Sequence, residues 1–135
     1  MREVIVLDTN IVLDVFVFGD AAALPLKHAL QDEKFDWLAT LPMRDELARV
    51  LAYPQIVPRL AFYKLQAEDV LAAFDTRARM VEVAVKAPVT CSDADDQGFI
   101  DLAVVHKALL LSKDKAVTSM AKRLLGHGVR VQSAI

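Results

Sequence analysis

The residues of this 135-residue chain best suited to chemistry are carboxylates, and they fall in three groups. Leu7-Asp8-Thr9-Asn10 follows the first β-branched run, and Ser112-Lys113-Asp114 follows Leu109-Leu110-Leu111. Between them lies Ser92-Asp93-Ala94-Asp95-Asp96. Carboxylates gathered in one place repel each other, which is costly unless a cation sits among them. Oxygen donors with few sulfur or imidazole groups select Mg2+ or Mn2+ over zinc. The three histidines, His28, His106 and His127, stand at no metal-ligand spacing, and His106 reads as packed on an apolar helix. The single cysteine, Cys91, reads as a buried or loop thiol; alone it forms no internal disulfide and fits a reducing cytoplasm.

Each acid also has a plain structural explanation. Asp8 or Asn10 can cap the first helix, Asp114 the helix after it, and Asp93 the helix in whose first turn Asp95 and Asp96 favour the dipole. What sets the group apart is the elements that carry it. Strand-like runs at 4–7, 35–39, 81–85, 109–111 and 129–131 alternate with helical patterns from about 11, at 21–30, 42–51, 67–79, 94–107 and 115–125. Pro42 sits in a first helical turn, a turn or short helix follows Pro58, and Gly126 reads as a helix stop. This alternation predicts an α/β fold: a mainly parallel sheet of four to five strands covered by helices on both faces, in one domain spanning 1–135. Chemistry in such sheets collects beyond the carboxyl ends of the strands. Asp8 and Asp114 should therefore project from one edge, where the segment 93–96 also begins.

Helical phase refines the membership. Phe99, Ile100 and Ala103 mark a buried face, and Asp96 lies one turn before it, so it should point inward; Asp101 falls elsewhere and should be solvated. Glu46 is about 40° from Val50, at the margin of the stripe Met43, Leu47, Val50, Leu51. That position permits a ligand role, although a boundary glutamate is more often a solvated flank. Asp45 lies nearly opposite the stripe and should face water.

Bulk numbers narrow the class. Hydrophobic residues make up 55% and mean hydropathy is +0.33, the composition of a well-packed globular protein. No apolar run approaches the roughly 18–20 residues of a membrane span; the longest, at 11–18, is interrupted by Asp14 and ends at Gly19. The opening MREVIVLD reads as a strand and not as a signal peptide, so a soluble cytoplasmic protein is expected. Net charge is −2, from 18 acids and 16 bases, without the basic surplus usual in a phosphate-binding protein. Two rival classes lack their residues. An Asp-x-Asp phosphotransferase needs an acid where Asn10 stands; a receiver domain needs paired acids near the first strand and a mid-chain phosphoacceptor aspartate, whereas Asp8 has no adjacent acid and Asp36 begins its strand instead of ending it.

Taken in order, the motifs resemble those of PIN domains. Val-Leu-Asp8-Thr-Asn10 looks like the first motif, Arg44-Asp45-Glu46-Leu47 the glutamate helix, Cys91-Ser-Asp93-Ala-Asp95-Asp96 with Phe99-Ile100 the third, and Ser112-Lys113-Asp114 the Thr-x-Asp motif. The wording around Cys91, with Tyr53-Pro54 after the glutamate helix, is similar to the branch of toxins from toxin–antitoxin pairs. The resemblance covers nearly the whole chain. It implies a three-layer PIN-like fold, Mg2+ or Mn2+, and cleavage of single-stranded RNA. Asp8, Glu46, Asp96 and Asp114 would be the catalytic, metal-holding acids, and Asn10, Asp93, Asp95 and Ser112 their supports. Arg49, Lys113 or Lys115 could anchor the RNA backbone, though each also reads as a plain surface charge. A protein antitoxin and a homodimer are the implied partners. An RNA-processing nuclease without antitoxin, or a non-catalytic binding module on the same fold, are the alternatives. The chain departs from the pattern at Ala94, Gln97 and Gly98, where Pro, an acidic or amide residue, and Lys are common, and Ser112 replaces the commoner Thr.

Overall fold

The computed structural model describes residues 2–135. Its strands are β1 (Glu3–Leu7), β2 (Phe35–Ala39), β3 (Arg79–Met80), β4 (Leu109–Leu111) and β5 (Arg130–Gln132). They form one sheet in the order β3-β2-β1-β4-β5, and every neighbouring pair is parallel. Parallel neighbours need crossover connections, and helices supply them. On one side lie α1 (Thr9–Phe18), α2 (Ala21–Gln31), α3 (Leu41–Leu51), α4 (Val57–Phe62) and α5 (Ala67–Arg77). On the other lie α6 (Gln97–His106), α7 (Lys115–Thr118) and α8 (Ala121–Leu125).

Strand alternation divides the core between these two layers. Ile5, Leu7, Trp37, Ala39, Leu109 and Leu111 face α1 to α5, where they meet Leu26, Leu47, Leu51, Val70 and Phe74. Val6, Leu38 and Leu110 face Ile100, Leu102, Val117, Met120 and Leu124. Each such side chain stabilises the fold by about 1.5–3 kcal/mol relative to exposure. Trp37 anchors the first layer, stacked on Phe16 at 5.9 Å and edge-on to Phe74 at 5.1 Å. No single helix among the described residues is long and apolar enough to cross a membrane.

Local chemistry sets the helix ends. Pro42 occupies the first turn of α3, where no backbone donor is needed. A capping box between Gln66 and Asp69 starts α5. The last turn of α1 widens to π geometry over Asp14–Phe18, and Gly19, at φ 58°, turns the chain away.

Three expectations are corrected. The run 81–85 is not a strand: β3 stops at Met80, and only Val81 N reaches the ladder, donating to Ala39 O at 2.9 Å. Its inward residues are Val81, Ala84 and Ala87, every third position and not every second, as in an extended polyproline-type segment. The helix expected over 115–125 is broken into α7 and α8, because Val117-Thr118-Ser119 propagates a helix poorly while Met120 and Leu124 are drawn into the core. The stop expected at Gly126 is met, since α8 ends at Leu125 with Gly126 as its right-handed C-cap, and the left-handed turn before β5 falls at Gly128, φ 82°, where an added Cβ would meet Lys107 Cγ at 3.1 Å. His106 is exposed and not packed, because it sits in the last turn of α6, past the buried face.

Candidate active site

The strand order reverses between β1 and β4, the point at which open α/β sheets leave a crevice at their carboxyl edge. Leu7 pairs with Leu111, and Asp8 N donates to Leu111 O at 3.1 Å, so Asp8 and Ser112 emerge side by side. The Ser112 hydroxyl donates to Asp8 Oδ2 and accepts from Asp114 N at 3.1 Å. One fully buried serine thus ties the two strand-end acids together.

Capping and clustering turn out to be compatible, because a carboxylate has two oxygens. Asp8 Oδ1 accepts from Ile11 N at 3.0 Å, Asp114 Oδ1 from Ala116 N at 2.9 Å, and Asp93 Oδ1 from Asp95 N at 3.0 Å. Each cap holds its side chain in a fixed direction. A carboxylate oxygen from each of Asp93, Asp96 and Asp114 then lies within 4.8 Å of the others. At that spacing two anions repel by about 3 kcal/mol at an effective dielectric of ~20.

Asp96 carries the strain of this arrangement. Its Oδ2 is buried without a hydrogen-bond partner among the described residues. Burial, then Asp114, with smaller repulsion from Asp93 and Asp8, pushes its carboxyl up to about 7. The Asp8 carboxyl is also raised, because burial outweighs the hydrogen bonds from Ser112 and Ile11. A set of oxygen donors with an orphaned buried carboxylate oxygen fits a hard divalent cation.

The sequence-derived residues are therefore placed unequally. Asp96 and Asp114 converge as expected, joined by Asp93, which had been read as a support. Asp8 is adjacent, with both oxygens already engaged. Glu46, partly buried on α3, stands outside the trio and accepts a 2.6 Å hydrogen bond at Oε2 from Thr9 Oγ1. Asn10 and Asp95 are exposed. Lys113 is ion-paired with Asp14, with Asp20 at 3.9 Å, while Lys115 and Arg49 are exposed and form no ion pair among the described residues.

Three features escaped sequence reasoning. Asp14 is a buried acid beneath Lys113; its only signal was a lone charge in an apolar run. Thr9 orients Glu46, and nothing in the sequence marks a contact across 37 positions. Asp101 is not solvated, as its helical phase implied. Its Oδ1 accepts from Ala87 N at 2.8 Å and Gln97 Nε2 at 2.7 Å, while Gln97 Oε1 accepts from Cys91 N at 2.6 Å. This pair fastens the loop that delivers Asp93 and Asp96. Between α3 and α6 a cleft of about 210 Å3 opens, lined by Met43, Glu46, Arg49, Asp95, Gly98 and Phe99 among others.

Comparison with known proteins agrees with this architecture. The sequence matches the family model described as PIN domain over residues 4–116. Among solved structures, the fold is similar to a chain of the crystal structure of VapBC2 from Rickettsia felis bound to a DNA fragment from their promoter. The TM-score is 0.62 at 12% identity, covering 96% of this chain and 97% of that one. No curated protein matches the sequence significantly.

Proposed function

The chain belongs to the PIN-domain family, and from that premise we propose that it is a Mg2+- or Mn2+-dependent endoribonuclease cleaving single-stranded RNA. The observation that carries this reading is the convergence of Asp93, Asp96 and Asp114, with Asp96 Oδ2 buried and without a hydrogen-bond partner among the described residues. Its physiological role would be that of the toxin in a toxin–antitoxin pair, working as a cytoplasmic homodimer. The likeness in fold to a chain of a VapBC2 assembly supports an antitoxin partner.

In this mechanism Asp96, Asp114 and Asp93 would hold the cation, and Asp8, tied to Asp114 through Ser112, would add negative charge to the site. A bound divalent ion supplies positive charge for activating water and stabilising the leaving oxygen at a phosphodiester. The remaining work falls to the chain. Ser112 keeps Asp8 and Asp114 in register. Glu46, held by Thr9 at 2.6 Å, orients the attacking water from the α3 side. Arg49 meets the RNA backbone at the rim of the cleft. Lys113 is committed to Asp14 and contributes to the framework of the site.

The test is cleavage of a fluorogenic single-stranded RNA with and without Mg2+ or Mn2+. Asp96→Asn and Asp114→Asn should each lower kcat at least about 100-fold, as expected for loss of an ion ligand. Full metal-dependent cleavage by the Asp96→Asn protein would overturn the proposal.

A further inference from the structure

The cleft of about 210 Å3 is lined by Glu46 and by Asp95, which lies in the chain between Asp93 and Asp96 of the acidic trio, so an occupant sits against the turn that carries two of those acids. Its walls are mostly apolar, from Pro42, Met43, Val83 and Phe99. Gly98 contributes no side chain to it, and a Cβ there would meet no heavy atom within 4 Å. Apart from Arg49 and the Thr40 hydroxyl, the polar side chains on the wall are the carboxylates Glu46, Asp95 and Asp101, which accept. The Asp95 carboxylate makes no hydrogen bond or ion pair among the described residues, and Asp101 uses one oxygen for Ala87 and Gln97, leaving the other open. Arg49 is the cleft's cation and forms no ion pair among the described residues.

An occupant must offer apolar faces to Met43 and Phe99 and N–H donors to carboxylates. Its own anionic group can lie only toward Arg49, because the acids repel it. A nucleobase bearing an exocyclic amino group, attached to a sugar phosphate, meets all three demands. Rings stack on aromatic and sulfur-bearing side chains, and carboxylates accept from amino groups on base edges. We infer that this cleft is a nucleobase subsite, taking an amino-bearing base of the strand next to the phosphodiester that is cut and setting sequence preference there. The placement beside a scissile bond rests on the nuclease reading above, but binding to the cleft does not.

The experiment is an NMR titration of the protein, without divalent metal, with GMP, AMP, CMP, UMP and ribose 5-phosphate. At least one amino-bearing nucleotide should bind ten-fold or more tightly than ribose 5-phosphate and shift the Met43 methyl signal. Gly98→Leu, which fills open space, should weaken that nucleotide at least ten-fold without lowering the melting temperature. Arg49→Ala should weaken nucleotide and ribose 5-phosphate equally. Equal affinity for ribose 5-phosphate, or unchanged nucleotide binding by Gly98→Leu, overturns the subsite. Nucleotide binding by a protein that cleaves no RNA would instead sink the nuclease reading, whereas cleavage without base binding would sink only the subsite.

Discussion

The Thr9 hydroxyl donates a 2.6 Å hydrogen bond to Glu46 Oε2, joining the first turn of α1 to the middle of α3. Thr9 follows the strand-end Asp8, so this contact fixes where Glu46 stands relative to the acids of the sheet edge. Thr9→Val should cost about 1 kcal/mol in chemical unfolding, the net worth of such a bond. If Glu46 orients water, kcat should fall about ten-fold with KM nearly unchanged, and Thr9→Ser should restore it. An equal loss in KM would assign Glu46 to substrate binding instead.

Ser112 is buried completely between two carboxylates. Ser112→Ala leaves Asp8 Oδ2 without its donor and Asp114 N without its acceptor, at a cost of about 1–3 kcal/mol. Ser112→Thr keeps the hydroxyl and should recover most of that loss. Urea denaturation of the three proteins in parallel is the measurement.

Stability of the metal-free protein should depend on pH with a definite sign. The folded Asp96 carboxyl titrates near 7, against 3.8 when unfolded, so between these values the folded state binds more protons. Stability contributed by this group is therefore full below about pH 4 and is lost as pH rises through 7. The raised Asp8 carboxyl acts in the same direction. Discounted for solvent screening, the Asp96 contribution is about 1–2 kcal/mol. The melting temperature at pH 7.5 should rise with Mg2+ or Mn2+ and respond little at pH 5. Asp96→Asn should remove the larger part of the pH slope, leaving the share due to Asp8, and abolish the metal response.

Gly98 sits in the first turns of α6 with open space at its missing Cβ. Gly98→Ala should stabilise the protein by about 0.5–1 kcal/mol, because glycine loses the most backbone freedom in a helix. Thermal unfolding monitored by circular dichroism reads this directly, and a destabilised variant would show that the site does not tolerate a methyl group.

Lys113 and Arg49 should behave differently. Lys113→Met leaves the buried Asp14 unpaired and should lower stability by about 1 kcal/mol while changing KM for RNA less than two-fold. Arg49→Ala should raise KM about five-fold and leave stability unchanged. A reversed pattern would make Lys113 the RNA contact.

The sequence by itself determined the parallel α/β architecture, since β-branched runs alternating with helical stripes leave few other ways to bury both. Four of the five strands lie where the pattern set them, to within a residue or so. Helical phase alone turned Asp96 inward, and strand-end placement alone brought Asp8 and Asp114 to one edge. The run 81–85 misled because its β-branched residues satisfy strand propensity, while the core accepts only every third of them. Tertiary structure decided the membership of the acidic site. Asp93 joins Asp96 and Asp114 because a 3-10 turn, held by the Gln97 and Asp101 hydrogen bonds, rotates its carboxylate toward them. Asp8 is drawn to Ser112 and Glu46 to Thr9 by contacts spanning 104 and 37 positions. Periodicity reports which face a side chain is on; which of several carboxylates meet depends on distances between elements far apart in the chain, and only the packed fold sets those.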